Sequence, residues 1–563
     1  MLKVILRPDG SVSDAVADPD IGAAVRPETE TTLFPLDGLP GSVALRAQDR
    51  IAESGPDSWT GGFAFAVRDQ RRGTLCAYRD HYGARPLYYH HVPGSLLLAS
   101  DLPALLRHLS APSPPDEVAI MEYLATGVLS ENRTFHRGVL RVPAGSRLTV
   151  GQGGVRIERY WRPWEGPWGG SLAPADLSEE FRRLFTEAVA ETLSGPGPIG
   201  VLLSGGPDSS AVLGVAARLA RMGGAPPDSV RVALTMVFDR VPGCDERDLA
   251  RETANLHGVP WRAVSVEPHS PLHEFDAFLA RFGEPPCTAN LAAEAILLQA
   301  AKREGVSALL DGHDADALFT PTSAYLTELF RRLRWIRLAR ELAALKRHHR
   351  LRLLRLARAT VAPAAPLRIR RMRRHAPQWL NPSVVRRTNL EDRLAPSARA
   401  SRFEEGEAEK ALGSRVGLAL ETTRCLERMH GVEGRHPFFN PALVRFLLSL
   451  PLETRYRAGE SKILMRRALS DLLTPATRRR LDKTNYTGYF DWSLRTHLGS
   501  HLEDLAQRGS VWLEPYVDFD KARPMIRRLL DGRDCDRLSV WRLVALERWL
   551  MLLSDNFHGG HDT

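Results

Sequence analysis

The chain is poor in cysteine. Its 563 residues hold five, Cys76, Cys244, Cys287, Cys425 and Cys535, scattered and without a CxxC pair. Such spacing offers neither a disulfide framework nor a zinc site, and a reducing cytoplasm is the expected setting. No apolar run approaches the ~20 residues of a membrane helix, and the opening MLKVILRPDG is no secretory signal. Internal repeats are absent. Acidic residues are also missing from one region: between Arg331 and Arg374 there are sixteen Lys and Arg and a single acid, Glu341. The whole chain carries a net charge of +9, whereas the remainder, with 60 basic and 66 acidic residues, carries −6. The basicity is therefore local.

An apolar fraction of 43% and a charged fraction of 25% are ordinary for a globular protein, and the length calls for two or more domains. Up to about residue 165, short β-rich runs (GGFAFAVRD, GTLCAYRD, PLYYHHV, SLLLAS) are separated by turn signals, and RLTVGQGGVRIERYW reads as a closing hairpin. A Gly/Pro-rich linker follows, then a helix from about Glu179 to Leu193. Beyond Pro198 strands and helices alternate: IGVLL, a helix over about 210–222, RVALTMVF, ERDLARETANLHG, WRAVSV, AEAILLQAAKREG and SALL. That alternation predicts a parallel sheet covered on both faces, with ligands beyond the carboxyl ends of its strands. The expected fold class is α/β, and the part after about residue 320 reads mainly helical.

Two strand-following loops carry the chemistry. VLLSGGPDSS, residues 201–210, runs from an apolar strand through a Gly-rich turn into a helix, a natural cradle for phosphate. Gly205 and Gly206 let the backbone approach, Ser204, Ser209 and Ser210 add hydroxyls, and Asp208 can hold Mg²⁺ against the phosphates. The loop is not of the GxxxxGK[ST] type, whose Lys it lacks. The second loop, DGHDADA, follows SALL and can face the same crevice.

These motifs resemble the asparagine synthetase branch of the ATP pyrophosphatases, which split ATP into AMP and pyrophosphate. RDHYGARPLYY, LLLASDLPALL and RTFHRGVLRVPAGSRLTV are similar to that family's N-terminal glutaminase domain, and HGVEGRHPFFNPALVRFLLSLP and GESKILMRRAL to its synthetase domain. The resemblance implies a degenerate glutaminase-like β-sandwich of the N-terminal-nucleophile type over 1–165. It also implies a doubly wound ATP-pyrophosphatase domain over 175–563, with an Arg-rich helical insertion at about 325–380. ATP and Mg²⁺ are the implied cofactors. Leu202, Ser204, Gly205, Gly206, Asp208, Ser209 and Gly312 would bind ATP, and Asp208 and Asp316 the metal. Lys483 would contact pyrophosphate and the developing anion, with Lys462 a further phosphate contact.

The chain departs from the family twice. Residue 2 is Leu where the glutaminase has its nucleophilic Cys, so glutamine hydrolysis is expected to be lost. At the Glu position of the family's second loop stands His313. Related β-lactam synthetases place there a Tyr paired with a downstream carboxylate, and counting offsets puts Glu421 in that role. His313 with Glu421 is thus expected to be the general base, the alternative being a nucleotide-contacting or structural histidine.

The family resemblance and these departures imply an ATP-dependent lasso peptide cyclase. It would adenylate an Asp or Glu side chain of a linear core peptide and join it to the peptide's N-terminal amine. A leader peptidase is the expected partner; nucleic acid and a membrane span are not expected. Three alternatives remain: a β-lactam-type cyclase, an ammonia-dependent asparagine synthetase and a nucleic-acid-binding protein. The Arg-rich stretch, at helical spacing, reads as a solvated helix packed by its Leu/Ile face or as a site for an acidic protein or peptide, nucleic acid or an anionic membrane surface, of which the protein or peptide is favoured.

Overall fold

The computed structural model describes residues 1–7, 9, 11–17, 24–26, 31–37, 59–163, 174–195, 197–223, 229–320, 324–349, 375–394, 406, 412–457, 459–481 and 484–558. Lys483, residues 164–173 of the proposed linker and the Arg-rich run beyond residue 349 lie outside them, and the linker's last five residues, 174–178, belong to the helix Pro174–Leu193.

The N-terminal strands are β1 (Leu2–Leu6), β2 (Val12–Ala17), β3 (Ala24–Arg26), β4 (Thr31–Asp37), β5 (Ala64–Asp69), β6 (Thr74–Arg79), β7 (Tyr88–Val92), β8 (Ser95–Ala99), β9 (Val139–Arg141), β10 (Ser146–Gly151) and β11 (Gly154–Arg159). They form two antiparallel sheets, ordered β2-β1-β8-β7-β9 and β11-β10-β6-β5-β4-β3. Alternating side chains from both sheets, among them Leu2, Val4, Ala66, Leu75, Leu96, Leu98 and Leu148, share one buried layer. The sandwich is the one expected, and the predicted hairpin is β10–β11.

The second half holds the strands β12 (Ile199–Leu202), β13 (Val230–Val237), β14 (Trp261–Ser265), β15 (Ala308–Leu310) and β16 (Glu433–Arg435). All pair in parallel, in the order β14-β13-β12-β15-β16. Helices cover both faces, with Pro207–Arg221 directly after β12 and Leu291–Arg303 before β15. The strand order reverses between β12 and β15, and a crevice opens at such a point. No described helix is long and apolar enough to cross a membrane.

Four buried charges join the two halves. Glu421, on the helix Ser414–His430, accepts from Arg79 Nη2 at 2.6 Å, Arg141 Nε at 2.9 Å and the Tyr88 hydroxyl at 3.1 Å. Arg141 also bonds Glu284, whose other oxygen accepts from the Phe135 amide at 2.5 Å. None of these four charged side chains is more than 3% exposed. Two guanidinium groups face two carboxylates, and each charge replaces its lost water with partners of opposite sign. Burial alone would lift the Glu421 carboxyl, but the two arginines outweigh it and hold the group below its ordinary value. This placement corrects the expected His313–Glu421 pair: Glu421 faces the N-terminal domain, and its oxygens are taken up there.

Truncating Glu421 takes the carboxylate partner from buried Arg79 and leaves Arg141 with Glu284 alone. Glu421→Ala should lower unfolding stability by about 3–5 kcal/mol, read by chemical denaturation. Loss of catalysis in Glu421→Gln with unchanged stability would instead restore the catalytic role.

Candidate active site

Both loops expected to carry chemistry meet at the reversal of strand order. Gly205 takes φ +71°, open to glycine, and a Cβ there would stand 2.7 Å from the Leu249 Cβ. Gly206 caps the helix Pro207–Arg221 with no side-chain cap bond, and the positive end of that helix faces the turn. Ser209 folds back over the turn, accepting from the Ser204 amide at 3.1 Å. Ser210 does not join it: it is buried against the Thr253 hydroxyl at 3.4 Å, one helical step away from the cavity.

Gly312 lies against this loop so closely that a Cβ would sit 2.9 Å from both the Asp208 Cβ and the Ser209 amide nitrogen. The contact brings two carboxylates to one point. Lys462 Nζ is 2.5 Å from Asp208 Oδ2 and 2.7 Å from Asp316 Oδ1. Burial disfavours the Lys462 ammonium, but the paired carboxylates outweigh that and raise its pKa above the usual lysine value. Two carboxylates gathered on one cation beside a phosphate loop are the oxygen donor set of a hard divalent ion, so these residues fit Mg²⁺. Lys462 (φ +64°) and Asp314 (φ +59°) both line the cavity in left-handed conformations unfavourable to side chains, as found where a site fixes the backbone.

The cavity above the loops measures about 1150 Å³. Leu202, Ser204, Gly206, Asp208, Ser209, Gly312, His313 and Asp316 all line it. Leu481 and Thr484, on either side of the undescribed pair 482–483, line it as well. Ligand pockets commonly span about 300–1,000 Å³, so there is room for a nucleotide and a second substrate.

Parallel pairing builds a cluster that the sequence did not reveal. Leu310 pairs with Arg435, so the next residues, Asp311 and His436, emerge side by side. His436 Nδ1 lies 2.9 Å from Asp311 Oδ1, and His313 Nδ1 bonds Asp311 Oδ2. One carboxylate therefore holds two imidazoles. Burial would lift Asp311, but both rings outweigh it and hold its carboxyl far below the usual range. Asp311 in turn pushes His313 up to about 10, against the cost of desolvation. Glu294, bonded by the Thr423 hydroxyl at 3.1 Å and raised by burial, is a further carboxylate of the cavity wall.

Cations gather on the opposite wall. Arg466 donates to the carbonyls of Ser461, Thr477, Arg478 and Arg480, tying the Lys462 turn to the segment that leads into residues 481–484. Arg480 pairs with Glu246 at 2.5 Å, and Tyr486 donates to the same carboxylate at 2.9 Å.

A glycine-rich anion cradle and paired carboxylates at the reversal point of a doubly wound sheet define a nucleotide-binding α/β domain. The chain belongs to the asparagine synthase family: the family model described as asparagine synthase matches residues 180–551, and a glutamine amidotransferase domain model matches residues 41–161. Amidase chyE of Penicillium rubens is 30% identical over 282 residues, covering 48% of this chain and 41% of that protein. Amidase chry2 of Gibberella zeae is 29% identical over 276 residues, covering 47% and 40%. Asparagine synthetase [glutamine-hydrolyzing] 3 of Bacillus subtilis is 33% identical over 176 residues, covering 31% and 28%. The matched segments thus span less than half the length of these relatives.

The approach at Gly312 yields a direct check. Gly312→Ala should push the two loops apart and weaken ATP binding at least tenfold, while Ser210→Ala, pointing away from the cavity, should leave it within about twofold.

Proposed function

We propose that the chain is an ATP-dependent, AMP-forming ligase that closes a macrolactam in a peptide, of the lasso peptide cyclase kind. The observation that carries this reading is the cavity's pairing of a nucleotide site with His313 on Asp311, in the place where the family's synthetases carry a Glu. In this reading the attacking amine belongs to the substrate itself.

In this account the glycine-rich turn and helix start over residues 204–209 bind the phosphates of ATP, and Lys462 and Arg480 add positive charge. Asp208 and Asp316 would hold Mg²⁺, which neutralises phosphate charge when bound. A side-chain carboxylate of the core peptide attacks the α-phosphate, and pyrophosphate leaves toward the wall that carries Lys462 and Arg480. The peptide's N-terminal amine then attacks the acyl adenylate, AMP departs and an isopeptide bond remains. Both reacting groups belong to one molecule, and well-placed intramolecular partners reach effective molarities of ~10⁵ M or more. Enclosure keeps water from the adenylate. A free core peptide implies that a leader peptidase acts before this enzyme.

His313 serves as the amine's base, with Asp311 in the orienting role that Glu421 was expected to fill. His436, on the other side of Asp311, fixes that carboxylate. The raised pKa makes His313 a strong base that is mostly protonated at neutrality, so its neutral form limits ring closure below pH 10.

Incubation with ATP, Mg²⁺ and a linear peptide bearing a free amine and an acidic residue should give a product lighter by one water, with AMP and pyrophosphate. AMP release that needs aspartate and rises with ammonium would show asparagine synthesis instead. The rate of ring closure should climb with pH from neutrality toward about 10. Asp311→Asn, by removing the partner that raises His313, should move that rise toward the ordinary histidine value near 6.5. A flat profile in both proteins would remove His313 as the base.

A further inference from the structure

We propose that the helix Trp335–His349 of the Arg-rich insertion, with Arg457, forms a docking groove for an acidic segment of the peptide substrate, placed beside the catalytic cavity. The inference rests on the reading of that cavity as one that takes a peptide carboxylate.

The helix Trp335–His349 presents two stripes. Leu338, Leu342 and Leu345 pack with Tyr325, Leu326, Leu329, Leu452 and Tyr456 in one apolar cluster. This is the face that a solvated helix would use to sit on its domain. Ile336, Arg340, Ala343 and Arg347 recur at intervals of four, three and four residues, a second face of the same helix. That second face, with Trp335 and Arg457, lines a separate groove of about 800 Å³, whose wall holds five arginines and one acid, the buried Glu341. Trp335 is 51% exposed and Ile336 75%, so apolar surface is left bare among the arginines.

The positive charge here is only partly answered. Glu453 pairs with Arg337 and lies 3.7 Å from Arg334. Among the described residues no carboxylate pairs with Arg340, Arg347 or Arg457. Three unanswered guanidinium groups around an exposed indole and an isoleucine complement a segment that carries carboxylates and at least one apolar side chain.

Location selects the substrate as the occupant. Leu345 lines the catalytic cavity while Arg347, two residues on, lines the groove. Strand alternation does the same at the next element: Tyr456 lines the cavity and Arg457 the groove. The two spaces lie on either side of one helix, about 10 Å thick, so a peptide whose reacting carboxylate sits in the cavity reaches the groove by passing around that helix, each extended residue spanning ~3.3 Å. A nucleic-acid strand has no such reason to lie next to this cavity.

The test uses the full chain and three fluorescein-labelled probes: a peptide with four Glu among Leu and Gly residues, the same peptide with Gln for Glu, and a twelve-residue oligothymidylate. Fluorescence anisotropy should show the Glu peptide bound at least tenfold more tightly than the Gln peptide. The preference should vanish in R340E/R347E/R457E and in the milder R340Q/R347Q/R457Q, with melting temperatures kept. Equal affinity for the two peptides, no effect of either triple variant, or tighter binding of the oligothymidylate than of the Glu peptide would overturn the proposal. ATP cleavage and ring closure are measured separately, so a chain that docks the Glu peptide yet cyclises nothing would refute the ligase reading and leave the groove standing.

Discussion

The backbone-to-backbone contact at Gly312 is the constraint on which the site depends. A side chain there would hold the loop after β15 away from the loop after β12, and Asp316 would leave the cation that it shares with Asp208. The sheet supplies the conditions for that contact. Neighbouring parallel strands end at the same level, and the order reverses between β12 and β15, so their following loops face one crevice without an intervening helix. A missing Cβ in one loop and a left-handed glycine in the other then set the spacing between phosphate cradle and metal carboxylates.

The same economy of position governs the two carboxylates expected to act on His313. Asp311 and Glu421 are both buried and both hold two cationic groups, yet they serve different ends. Asp311 stands at a strand end with its histidines, one of them open to the cavity, and tunes a group that can touch substrate. Glu421 stands one layer away, at the joint between the two halves, where Arg79 and Arg141 consume both of its oxygens. The N-terminal sandwich thereby acts on the site through structure: it fixes the helix Ser414–His430 whose Thr423 reaches Glu294 on the cavity wall.

Much of the fold could be read from the residues, because its signals are local. The apolar runs of β12, β13 and β15 are buried on both faces, and the helices between them show a 3.6-residue period. The phosphate loop was legible for the same reason, since strand, glycines, Asp and helix follow one another within ten residues. The features that escaped are set by pairing or by phase. β16 has only three residues, all half-buried and two of them charged, and becomes a strand through its pairing with β15. His436 and Asp311 are 125 residues apart and adjacent only through that pairing. Ser209 and Ser210 are chemically alike, but one helical step turns the second toward Thr253. Glu421 was placed by counting back from GVEGR with a short deletion allowed, and an offset of one or two residues on a helix changes the face entirely.

The central claim is that a carboxylate is activated here by transfer of AMP. It is tested most directly by labelling the side-chain carboxylate of the substrate peptide with heavy oxygen and following the label by mass spectrometry through one turnover. The account predicts one labelled oxygen in the phosphate of AMP and one in the amide carbonyl of the product. Label in inorganic phosphate, with ADP as the nucleotide product, would contradict it.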